Sequence, residues 1–192
     1  AKTDSAVMRD LMRRLLLTAA AAPQGPGGDG SLLALRLERL AAMGDARSVA
    51  DLLGSVPARD LDERLARVGV DGLLLAGETG PACDRARGLI RESDALYWQK
   101  LFIFCQALEG DNTGAAIGLS LLREEGHDLE DEAFFILAQK LTDVPDANIA
   151  SLPEPTPLHL AMLRAAQASP PDDTLAAMDP AVLRAIATGD SA

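Results

Sequence analysis

The chain has 192 residues, of which 48% are apolar, 24% charged and only 3% aromatic, and its formal net charge is −11 at pH 7. That length suits one compact domain or a row of small units, and folding it would bury about 70% of the unfolded surface. The acidic balance argues against nucleic acid as a partner, since phosphate contacts need a positive surface, and no run of about eighteen apolar residues is present to span a bilayer.

With aromatic and β-branched residues scarce, Leu and Ala must supply most of the packing, which favours helices over sheets. The first element reads as a helix over Thr3 to Ala22. Within it, "VMRDLMRRLLL" sets Arg9, Arg13 and Arg14 among Met8, Leu11, Met12 and Leu15. Such an amphipathic segment either packs on its own domain or, through Met8 to Leu17, lies on a membrane or docks on a partner. The chain begins with Ala rather than Met, which points to a removed signal peptide or upstream domain and tilts the expectation toward an exported or periplasmic setting, with the compartment left open. Next comes "APQGPGGDG", too rich in Pro and Gly for helix or ladder, so residues 23–30 read as a flexible linker. Its glycines miss the spacing of a nucleotide-binding loop.

From Ser31 to about residue 168 the pattern is helix after helix. "SLLALRLERLAAM" places Leu33, Leu37 and Leu40 on one stripe. Asp60 with Glu63 has the form of a capping box, and Gly80-Pro81 suits an N-cap followed by Pro at the first helical position. Asp128 and Asp131 precede "EAFFILAQKL", and Thr156-Pro157 opens "LHLAMLRAAQA". Residues 169–192 read as short helices and a tail, with Asp179-Pro180 opening "AVLRAIA". The fold class is all-α.

Three turns share a pattern: "LAAMGDARSVADLL", "LLLAGETGPACDRARGLI" and "CQALEGDNTGAAIGLSLL". Their glycines, Gly44, Gly77 and Gly110, are spaced 33 residues apart both times, each followed by an acidic residue, Asp45, Glu78 or Asp111. Five positions after each glycine stands a small or short apolar residue: Val49, Ala82 or Ala115. Gly can end one helix in a left-handed conformation while the acidic residue caps the next. Two helices per period, each with an apolar face that cannot stand alone, predict an α-solenoid of stacked antiparallel hairpins, about three to five repeats long.

The period and the glycine, acid, small-residue step resemble the tetratricopeptide repeat in divergent form. The match covers about Ser31 to Leu141 and is carried by Gly44, Gly77 and Gly110 with Val49, Ala82 and Ala115. The helix-A tyrosines are largely absent, the inter-repeat proline survives only near Pro57, and the period is one residue short. A fourth unit would begin near Phe134, but Asp143 stands where its glycine should be. The resemblance implies a protein or peptide ligand bound on a surface built largely from the first helices.

All six aromatic residues fall between Tyr97 and Phe135. Trp98 in that run is either core or the anchor of a ligand groove, with core the simpler reading. "REEGHDLEDE" carries six carboxylates, yet it straddles a helix end and a helix start, so it reads as a solvated turn. His127 and His159 lie too far apart for a zinc spacing, and no metal or cofactor is expected. Cys83 and Cys105 are either buried free thiols, the commoner arrangement, or a disulfide, which the edges of adjacent hairpins would permit. Ser120 lacks a nucleophile elbow. The functional expectation is a non-enzymatic scaffold with a neutral or basic partner, contacting Arg36, Arg39, Trp98, Gln99 and Gln106. The alternatives are a membrane-associated adaptor using the N-terminal helix and a helical hydrolase using a carboxylate such as Glu124.

Overall fold

The computed structural model describes residues 5–18, 28–56, 62–90, 93–142 and 149–189. The chain is all-α: the described residues form eleven helices packed against one another and no strand. None of these helices is long and apolar enough to cross a membrane. They divide into two compact units, one of residues 1–77 with 179–192 and one of residues 78–178. The division falls at residues 77/78, within the stretch 31–168 read from sequence as one helical-repeat domain, and the last helix groups with the first unit.

The first unit holds α1 (Ala6–Leu17), α2 (Gly28–Met43), α3 (Ala46–Gly54), α4 (Glu63–Leu75) and α11 (Pro180–Gly189). Its core is aliphatic: Leu37 and Leu40 from α2, Val49 and Leu53 from α3, and Leu65 from α4. Helices α3 and α4 approach closely because Gly72 lies against Val49, where a Cβ would stand 2.9 Å from Cγ1. The α2–α3 turn closes as a Schellman motif, the Gly44 amide donating to Ala41 O at 2.9 Å and the Asp45 amide to Leu40 O at 3.0 Å. Asp45 then caps α3 by accepting the Ser48 amide at 3.1 Å. Helix α11 settles on this turn, with Ala185 packed against Ala46 and Ala76. The first helix is shorter than expected, ending at Leu17, and buries none of its residues, although Leu16 touches the core. Helix α2 begins at Gly28, inside the segment read as linker, and the rest of that segment, 23–27, lies outside the described residues.

The second unit holds α5 (Thr79–Leu89), α6 (Leu96–Leu108), α7 (Asn112–Glu124), α8 (Glu132–Leu141), α9 (Pro157–Ala165) and α10 (Asp172–Ala177). Helix α6 is its axis, apolar almost all round and burying Trp98, Leu101, Ile103, Phe104 and Cys105. A disulfide ties Cys83 on α5 to Cys105 on α6, with Cα atoms 5.6 Å apart. The Gly110 turn repeats the bonding of the Gly44 turn, and Asp111 caps α7 through the Gly114 amide at 2.9 Å.

Several local expectations need correction. Helix α5 starts at Thr79 behind Glu78, so Pro81 sits third in the helix rather than first, still among the amides that have no helical partner. The cap of α4 is Asp62, accepting the Leu65 amide at 2.7 Å, whereas Asp60 lies outside the described residues. The Gly77 turn stands at the end of the first unit, so its two helices belong to different units. After α8, the expected fourth glycine position, Asp143, falls outside the described residues, and the described stretch from Ile149 to Thr156 is not helical.

Candidate functional site

The second unit carries a groove along the contact of α6 and α7, about 350 Å³ in volume. It is lined by Phe102 and Ile103 on α6 and bordered by Ile117 and Leu121 on α7, with Gln99, Gln106 and Glu125 as polar lining. Close approach of the two helices depends on Gly118, since a Cβ there would stand 2.6 Å from Ile103 Cγ1. Ala115, five positions after the turn glycine, is fully buried on the same face. The helix therefore turns Ala115, Gly118, Leu119 and Leu122 inward and leaves Ile117 and Leu121 outside.

Ile117 is 66% exposed and Leu121 53%, an i, i+4 pair forming an apolar ridge in water. Beyond that ridge lies a second, shallower depression of about 600 Å³, lined by residues of α7 including Thr113, Ala116, Ser120 and Glu124. Ile117 and Leu121 border both hollows. Glu124 faces the outer depression and its neighbour Glu125 the groove, so these two carboxylates do not converge on one point.

The two glutamines are preorganised. Gln99 donates from Nε2 to the Asp94 carbonyl at 3.0 Å, and Gln106 donates to Asp111 Oδ2 at 3.3 Å, bracing the cap of α7. Trp98 does not join them. It is 1% exposed and meets Tyr97 edge-to-face at 4.8 Å between centroids, which fits the core reading of this side chain rather than a place in the groove lining. Arg36 and Arg39 lie on α2 in the other unit, Arg36 donating to the Thr18 carbonyl at 3.2 Å and Arg39 exposed.

No family model matches this chain, and neither a curated protein nor a solved structure does.

A second constellation went unread in the sequence. Lys100 Nζ donates to Asp131 Oδ2 at 2.6 Å, and His159 Nε2 lies 2.9 Å from Asp131 Oδ1. The Thr156 amide donates to His159 Nδ1 at 3.2 Å, so Nε2 carries the proton and donates to the carboxylate. Asp131 also caps α8 through the Phe134 amide, and Lys100 rides over the Phe134 ring. Burial opposes the Asp131 charge, but the hydrogen bonds from His159 and Lys100, with the ammonium charge, hold its carboxyl well below the usual carboxylate range. The network joins α6, α8 and α9, and with Lys100 and His159 both buried it acts as an internal strut. The signal for it was Lys100 itself, the one cation within the apolar run "LYWQKLFIF". Among the described residues, no three of His, Cys, Asp or Glu gather as a metal site.

Proposed function

We propose that the chain is a non-enzymatic, divergent tetratricopeptide-like scaffold that binds a peptide or protein segment in the α6–α7 groove. The observation that carries the reading is the apolar ridge of Ile117 and Leu121 standing in water over a floor of Phe102 and Ile103. Apolar anchors entering such grooves supply most of the affinity of helix and peptide recognition. The carboxylates of Glu124 and Glu125 flank the ridge, which favours a segment with one or two apolar anchors beside a basic residue. The repeat assignment draws support from the turn glycines, whose φ values are 78°, 82° and 79°, and from Val49, Ala82 and Ala115, each at most 1% exposed.

The test is selection of a random peptide library against the full chain, followed by binding of the enriched peptides to Ile117→Glu and Leu121→Glu. Both side chains are largely exposed, so the fold should survive either change. Enrichment of apolar-plus-basic peptides that bind each variant about tenfold or more weakly supports the proposal. Peptides that bind the variants as well as the parent chain contradict it.

A second reading has an observation of its own. On α1 the side chains of Val7, Met8, Leu11 and Leu15 are between 49% and 72% exposed, an unpartnered apolar stripe suited to a lipid surface. Flotation with vesicles supports membrane attachment only if it is lost in Leu11→Glu.

A further inference from the structure

The first unit contains a cleft of about 490 Å³ bordered by α1, the Gly44–Asp45 turn, the start of α3 and α11. Its charged lining is Arg9, Arg13, Arg47 and Arg184 against Asp10 and Asp45. In a chain carrying −11 overall, the described lining residues set four guanidinium groups beside two carboxylates.

Both carboxylates are already engaged. Asp45 accepts the Ser48 amide at Oδ1 and Arg13 Nε, at 2.8 Å, on Oδ2. Asp10 pairs with Arg14, a further cation beside the lining, at 2.8 Å. The arginines are also held in place. Arg13 Nε lies 3.1 Å from Ser48 Oγ, and Arg184 Nε donates to the Met43 carbonyl at 3.2 Å, which fixes its guanidinium over the turn. Arg47 stands in the first turn of α3, where the positive end of the helix dipole adds to its charge.

A volume of this order fits a small molecule, and planar guanidinium forks match the oxygens of phosphate and carboxylate groups. We propose that this cleft binds a small dianionic oxyanion, either a phosphomonoester or a dicarboxylate. It uses none of the residues of the α6–α7 groove and stands whether or not that groove binds peptide.

The experiment titrates the full chain at low ionic strength with inorganic phosphate and, separately, with succinate, followed by backbone and arginine side-chain NMR. Saturable shifts at residues 43–48, Arg9, Arg13 and Arg184 with either anion, absent with chloride at matched ionic strength, support the site, and the anion that saturates it names the class. Arg47→Gln, an exposed change that leaves the Arg184 contact intact, should weaken binding by about tenfold, the loss of one charge-assisted donor. Arg67→Gln, on α4 outside the cleft, should leave it unchanged. Absence of saturation with both anions, or affinity unmoved by Arg47→Gln, overturns the proposal.

Discussion

Gly44 and Gly110 share a left-handed backbone, at φ 78° and 79°, but not their surroundings. A Cβ on Gly110 meets nothing, whereas one on Gly44 would press into the Ala181 carbonyl of α11. Gly110→Ala should therefore cost about 1 kcal/mol, the price of a left-handed non-glycine residue. Gly44→Ala should cost at least about 2 kcal/mol more, because backbone must move as well. Chemical denaturation of the two variants measures the difference, and equal losses would mean that α11 does not rest on the turn. Asp131 is the other residue on which much depends. Asp131→Asn leaves Lys100 buried without its carboxylate and should destabilise the chain by about 3 kcal/mol at neutral pH. The sign with pH follows from its lowered pKa. The stabilisation is present above the ordinary carboxylate value of about 4 and is lost as pH falls through the lower folded value. Urea midpoints should thus fall more steeply below about pH 4 in the parent chain than in Asp131→Asn. Identical acid limbs would contradict the strut.

Helices and their ends were largely legible in the sequence, because capping chemistry is local. Asp45, Asp111, Asp131 and Thr156 each accept an amide three residues on, as their position before an apolar run implies. Glu78 stands at the equivalent place but makes no side-chain cap bond. The start of α2 misled because Gly28-Asp29-Gly30 has loop composition, a weak prior that packing of the following turns overrides. Whether Cys83 and Cys105 meet was open for a different reason: it depends on how α5 lies on α6, which no local pattern fixes. The bond closes a sequence separation of 22 residues, so reduction should destabilise the chain by about 3 kcal/mol. A thiol count on unreduced, denatured protein should find none, and two free thiols would contradict the bridge. On α6, Trp98→Ala should cost about 3–5 kcal/mol as a buried aromatic, seen as a lowered melting temperature. An unchanged melting temperature would return Trp98 to the surface.

At the scale of the whole molecule, composition foretold an all-α chain, since Leu and Ala dominate and the aromatics gather on a few helices. The candidate site was legible in part: Gln99 and Gln106 line the groove, but its ridge, Ile117 and Leu121, was not singled out. The reason is physical. Whether an apolar residue is core or surface depends on which flank of α7 the small residues Ala115 and Gly118 turn toward α6, and periodicity alone assigns no direction. The same limit hid the arginine cleft, whose members are drawn from α1, α3 and α11, far apart in the chain. The direct test of the binding role is hydrogen exchange on the full chain with and without an enriched peptide. The account predicts slowed exchange concentrated in residues 99–106 and 114–121. Protection confined to other segments, or none at saturating peptide, would contradict it.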